Sequence, residues 1–531
     1  MRPSEVFAQA VYGEPKAAPL GGAALDAAIR HLVRHIAEPS VLRKNPLLAE
    51  RLAGARPDEQ QAFMLQLRAT IRAALPEGSR AARIVQRCDI EGASHKAVVH
   101  ELGISRRQFY RERARARELI VEALRQRPNA AVGKTRQESY LEEIETLHEL
   151  VNQGRTAEAL SYGEILLERG APPEICASLH AARATAHTER GDHEQARSEL
   201  ALGERRAPGG GGAAAELAFA RGYAEYVRPA FARATELAAR AAELSVPPAG
   251  AQDWQRRAHA RHLRFLGNVL QEDHDPKAAL AVFARAQDAL FACTAVPKAA
   301  ELRIATDIAL TKLAFAEQQP HAYSEASQAH AAASWHALGY ERVWALLALA
   351  LAFAASNAAS GEDALRYANE AGSLAPAVVG GSWLGRVYLL ASRIQTACAR
   401  SHDALHYVVL AREAIPVGHH LLRWFCELRA AEAHLALQDG SRALAHADAA
   451  LASHAPSGES HYYGSLLLAK ARALELLGER RGALEHCERG LALVRRGGLV
   501  RDIVAALRFA ARLTGELRFE AEARAMERFA V

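Results

Sequence analysis

A chain of 531 residues is too long for one ordinary hydrophobic core, so it must divide into domains or extend as an array. Half of the residues are apolar and 24% are charged, which excludes a disordered chain. The net charge is only +5, yet the stretch from Ser79 to Arg127 carries twelve basic and six acidic residues, so a polyanionic partner is expected for that stretch alone.

Six cysteines (Cys88, Cys176, Cys293, Cys398, Cys426 and Cys487) lie far apart with no Cys-x-x-Cys pair. That pattern argues against a disulfide framework or a zinc site and for reduced thiols in the cytoplasm. The start, Met1 to Glu5, lacks the apolar core of a signal peptide. The run from Val343 to Ala355 is wholly apolar, but a bilayer span takes roughly 20 such residues, so it reads as a helix buried on all sides and no membrane partner is expected.

In chain order, residues 1–22 read as a poorly ordered N-terminus and 23–126 as a helical domain. Its first part, Leu25 to Leu52, has a helical pattern carrying Leu42-Arg43-Lys44-Asn45-Pro46-Leu47-Leu48. After Leu75-Pro76-Glu77 comes a helix through Cys88, then Glu91-Gly92-Ala93-Ser94, a short helix to Leu102, a turn at Gly103-Ile104-Ser105, and a second helix from Arg106. Val98, Leu102, Ile104 and Phe109 are spaced to clamp these helices at a steep angle. Gly103 permits a left-handed turn, and Ser105 can cap the second helix.

The open side of that helix then carries Ser105, Arg106, Arg107, Gln108, Tyr110 and Arg111. From there arginine can take guanine and glutamine can take adenine in the major groove. Arg113, Arg115 and Arg117 suit phosphates. The segment resembles the promoter-reading fourth region of bacterial sigma factors and the related LuxR-like heads of response regulators. The likeness rests on Leu-Pro-Glu, Glu-Gly-x-Ser, Leu-Gly-Ile-Ser and Arg-Ala-Arg, and it departs at Val99, where such motifs favour alanine. It implies a helix-turn-helix at 94–117 that binds double-stranded DNA. No segment resembles the sigma-factor region that melts promoters and grips polymerase, so a sigma factor proper is not expected.

Residues 127–137 read as a linker. Pro128 to Thr135 ends like a phosphate-binding loop but lacks its first glycine and any preceding strand. From 138 to 531 an internal repeat near 40 residues long is anchored at Ala159, Ala196, Ala234, Ala279, Ala326, Ala364, Ala404, Ala443, Ala483 and Ala523. Small residues recur twelve positions earlier (Ala184, Gly222, Gly267, Ala314, Ala352, Ser392, Ala431, Ala471) and seven later (Ala241, Ala286, Ala333, Ala371, Ala411, Ala450). Two helices joined by a short turn cross closely only where side chains are small. The spacing resembles tetratricopeptide (TPR) repeats. The first unit departs, with Leu147 at the first small position and Gly163 and Leu166 after the anchor.

The expected fold is therefore all-α: a small helical helix-turn-helix domain followed by a TPR-like α-solenoid of about ten helical hairpins. The pairs His31/His35 and His402/His406 lack a third metal ligand nearby and read as surface histidines; His419-His420 sits at a repeat boundary. No catalytic constellation is readable, so no enzyme and no cofactor are expected. The reading is a cytoplasmic DNA-binding transcriptional regulator whose array takes a peptide, protein or small-molecule ligand in its groove, with a homodimer and an RNA polymerase contact left open. The alternative is a TPR scaffold or adaptor that does not bind DNA.

Overall fold

The structure, a computed structural model of the full chain, describes residues 80–90, 94–125, 136–207, 211–273, 275–336, 338–356, 361–453, 460–497 and 500–527, with residues 31 and 75. The expected N-terminal tail 1–22, the helix from Leu25 to Leu52 apart from His31, residues 127–135 of the linker and the tip 208–210 lie outside them. The described residues are all helix and connection, with no strand among them. The chain divides into two compact units, Met1–Glu143 with Trp335–Ala337, and Ile144–Ser334 with Leu338–Val531.

The first unit holds α1 (Arg80–Ile84), continued by a π-helical turn (Val85–Ile90), then α2 (His95–Glu101) and α3 (Arg106–Arg125). Its core is Ile84, Val98, Ile104 and Phe109, with Cys88, Val99 and Leu102 half-buried against it.

The array begins with α4 (Arg136–Asn152), whose first two residues fall within the expected linker, and α5 (Thr156–Glu168). Nine further hairpins follow among the described residues: α6 (Pro173–Glu189) with α7 (His193–Arg206), α8 (Gly212–Val227) with α9 (Phe231–Leu244), and α10 (Asp253–Glu272) with α11 (Pro276–Phe291). Next come α12 (Lys298–Lys312) with α13 (Gln319–Trp335), α14 (Gly339–Ser356) with α15 (Gly361–Val378), and α16 (Gly381–Ala397) with α17 (Ser401–Ala414). The last are α18 (His420–Ala436) with α19 (Gly440–Ala452), α20 (His461–Leu476) with α21 (Arg480–Gly497), and α22 (Val500–Thr514) with α23 (Leu517–Glu527).

Every repeat anchor from Ala159 to Ala523 is buried on the second helix of its hairpin. The physical reason is visible at Gly267 on α10, where a Cβ would lie 2.5 Å from the Phe283 ring of α11. The first hairpin solves the same crossing in reverse. Leu147 takes the small position on α4, and Gly163 on α5 leaves room for it, since a Cβ there would meet Leu147 Cδ1 at 2.9 Å. One expectation needs correcting: α14 is not buried on all sides. Val343 and residues 345–352 are buried, but Trp344, which borders an internal space, and Phe353, which packs against Tyr323 and Tyr367, are half-exposed.

Candidate functional site

In the first unit, Ser94 caps α2 by accepting from the Ala97 N–H at 3.2 Å, and Ser105 caps α3 by accepting from the Gln108 N–H at the same distance. Gly103 takes φ +59°, the left-handed turn that lets Ile104 fold back into the core. Arg106, Arg107, Tyr110, Arg111 and Arg115 are exposed on the first half of α3, together with Ser105. Two other expected contact residues are placed differently. Gln108 is half-buried, and so is Arg113, whose Nη1 lies 2.5 Å from His95 Nε2 while its guanidinium stands 6.0 Å from the Phe109 ring centre. Arg113 thus braces α3 against α2 rather than standing clear on the open face. Leu102, expected in the core, caps the C-terminus of α2 and is only half-buried. Of Arg117 only the backbone is described.

The array winds back on itself. The Gly380 N–H donates to the Gln153 carbonyl at 2.9 Å, joining the turn of the first hairpin to the start of α16. One repeat on, His193 Nε2 meets the carbonyl of Gly418 at 2.6 Å, 225 residues further along the chain. Beside this seam the Ser382 hydroxyl donates to Glu189, and the His193 and His420 rings stack with centroids 5.4 Å apart. His419, at the repeat boundary, is fully buried as the cap of α18, and burial holds its pKa well below the ordinary histidine value. His402 and His406 are exposed, as ordinary surface histidines are.

The array also holds a partly open lumen of about 260 Å³, lined mainly by the first helices of successive hairpins. Its wall mixes aromatic rings (Tyr223, Phe265, Trp344, Trp383, Phe425, Tyr462) with charge. Arg264 pairs with Asp307 at 2.5 Å, Arg303 with Glu341 at 2.6 Å and with Glu149, Arg393 with Asp502, and Arg429 with Glu432. Arg386 stands 4.5 Å from the Trp383 ring centre and 3.7 Å from Glu189. Burial pushes Glu272 up to about 7, although the Tyr462 hydroxyl, Arg386 and Arg393 act the other way.

The sequence reading did not find these lumen residues. A signal existed in arginines set among apolar neighbours on helices otherwise buried, as in Leu302-Arg303-Ile304 and Gly385-Arg386-Val387. Among the described residues, no group of three or more His, Cys, Asp or Glu side chains is arranged to hold a metal ion. No helix among them is long and apolar enough to cross a membrane.

A Rap protein complexed with competence and sporulation factor superposes with a TM-score of 0.51 at 11% identity, covering 69% of this chain and 99% of its own. The array is a TPR-like α-solenoid. Similarity extends at TM-scores of 0.40 and 0.36 to aspartyl phosphate phosphatase F from Bacillus subtilis (12% identity, 69% of this chain and 97% of that one) and to a signal-transduction ATPase with a tetratricopeptide-repeat sensor from Pyrococcus horikoshii (12% identity, 93% and 75%). No protein-family model matches the chain, and no curated protein matches it in sequence. The TPR-like solenoid is thus known by its geometry: hairpins crossing at small residues, with first helices facing inward.

Proposed function

We propose that the chain is a DNA-binding transcriptional regulator whose TPR-like array binds a ligand in its lumen. The observation that carries the DNA reading is the small helical unit. A sealed core of Ile84, Val98, Ile104 and Phe109 holds α3 rigidly, and Arg106, Arg107, Tyr110 and Arg111 stand exposed at its start. A helix so mounted suits the major groove, with the arginines reading guanine edges and Arg115 on phosphate. The array is read as the sensing part because it holds a concave space lined with charged and aromatic side chains. The complex of a Rap protein with competence and sporulation factor supports that reading. A ligand that prefers one arrangement of the protein would shift the population competent for DNA.

Replacing Arg106, Arg107 and Arg111 together by alanine tests the site. In a genome-wide map of the tagged protein on DNA, wild type is expected to give discrete peaks that vanish in the triple variant. Peaks unchanged by the substitution would overturn the assignment.

The second reading, an adaptor whose basic helix meets an acidic protein, is favoured by the half-buried positions of Gln108 and Arg113, which narrow the open face. Salt separates the two. Displacing counterions from several phosphates makes DNA binding fall steeply with salt, by about one unit of log–log slope per phosphate contacted.

A further inference from the structure

Most of the arginines around the lumen are paired with carboxylates, and the sealed polar atoms of its lining that have no partner lie close together. Four of its arginines have carboxylate partners in ion-pair contact. The fifth, Arg386, is held more loosely. Its nearest carboxylate oxygen, on Glu189, is 3.7 Å away, its Nη2 reaches the Tyr223 hydroxyl only at 3.4 Å, and its Nε has no acceptor. Beside it, the indole N–H groups of Trp383 and Trp344 also lack acceptors, and their two rings meet edge to face at 5.8 Å. Glu272 on α10 has the opposite deficit: one carboxylate oxygen is buried without a donor. It lies within electrostatic reach of Arg386, and its pKa is pushed up to about 7 by burial.

Three neighbouring donors without acceptors and two acceptors without donors, on Glu272 and on the Glu189 oxygen that faces Arg386, describe a ligand by its complement. Leaving buried polar groups without partners is costly, so a ligand that meets them is favoured by doing so. A purely anionic ligand would face the carboxylate of Glu272. A plain amine would leave three donors unmet, and a hydrocarbon would meet none. The volume of about 260 Å³ lies just below the roughly 300–1,000 Å³ of sites for drug-sized molecules, which excludes a folded partner and suits a small one. Phe265, Leu389, Leu422 and Phe425 supply apolar wall.

We propose that the lumen binds a small amphipathic zwitterion, an amino acid or a peptide of a few residues, with its carboxylate at Arg386, Trp344 and Trp383 and its ammonium at Glu272. Arginine suits the carboxylate because its planar fork can donate two parallel hydrogen bonds. The inference rests on the reading of the array as the sensing part, and it names the class of ligand sensed.

The test uses the full chain. Free L-amino acids and di- and tripeptides with apolar or aromatic side chains are screened by thermal unfolding, and each binder is titrated calorimetrically. The best binder is then compared with its C-terminal amide and its N-acetyl form. Binding by the parent is expected, with each blocked form weaker by about tenfold or more, the size of one lost charge-assisted hydrogen bond. Arg386→Gln is expected to lose the preference over the amide, and Glu272→Gln the preference over the acetylated form. Should Arg386→Gln fail to fold, Trp344→Phe removes one indole donor and is expected to weaken the parent more than the amide. Which members of the panel bind tells a free amino acid from a peptide. No binding at millimolar concentration, equal binding of blocked forms, or variants that keep both preferences would overturn the proposal. DNA binding is measured on the same preparation. Ligand binding without DNA binding removes only the regulator reading, and DNA binding without any ligand removes only this inference.

Discussion

Glu189 is a carboxyl group with almost no water around it. Burial raises its pKa to about 7 from an ordinary 4.5, against the opposing pull of Arg386, whose guanidinium is too far for a hydrogen bond. Because the folded-state value lies above that of the unfolded chain, folding takes up a proton. That stabilisation is complete below about pH 4.5 and is lost as the pH rises through 7. A shift of this size corresponds to about 3 kcal/mol at most. Glu189→Gln is therefore expected to unfold like wild type near pH 4.5 and to be the more stable protein at pH 8. Parallel urea titrations at the two pH values check this, and an unchanged difference between the proteins would refute it. Glu199 sits in the opposite environment. Although burial acts to raise its pKa, His180 and Arg183 hold it down at about 2 by hydrogen bonds and charge, so its contribution is present above pH 4.5 and fades as the pH falls toward 2.

At the scale of the element, the hairpin is the unit, and its strength lies in how closely two helices approach. Gly267 marks one of the tightest crossings, with the Phe283 ring occupying the place of a side chain. Gly267→Ala raises intrinsic helix propensity by up to about 1 kcal/mol, but it forces the ring of a fully buried phenylalanine to move. Overpacking of this kind costs about 1–3 kcal/mol, so a lower thermal midpoint is expected despite the better helix former. A midpoint at or above wild type would mean that the crossing relaxes freely. In the first unit, α2 has only seven residues and relies on its Ser94 cap and on Val98. Isolated helices that short do not persist in water, so α2 exists through its packing against α1 and α3.

At the scale of the whole array, the property that matters is closure. Stacked hairpins contact chiefly their neighbours, so an open solenoid can flex along its length. Here the first and second turns meet the chain again at Gly380 and Gly418. Backbones approach so closely there that Gly154, at φ +73°, has no room for a Cβ against the Gly380 carbonyl. Gly154→Val is expected to break the seam while leaving the hairpins folded. The Gly380 amide, which donates across the seam, would then exchange its hydrogen faster, whereas amides within α20 would not change. Unaltered protection at Gly380 would show that the seam tolerates the side chain.

The all-α class, the number of hairpins and the small residues at their crossings were legible in the sequence, because helix periodicity and close approach are local demands repeated along the chain. The core of the first unit was legible for the same reason, in the spacing of Val98, Ile104 and Phe109 around Gly103. The lumen was not. Arg386, Glu272, Trp344 and Trp383 come from three helices far apart in the chain, and their registers differ from repeat to repeat. What brings them together is the small rotation between successive hairpins, summed over several repeats until Gly380 reaches Gln153. Such a rotation depends on how side chains pack at each interface, and no short stretch of sequence carries it. The burial of His419 and the bracing of α2 by Arg113 were hidden likewise. Composition and spacing determined which helices form and where they cross; the accumulated geometry of the array decided which polar groups face one another inside it.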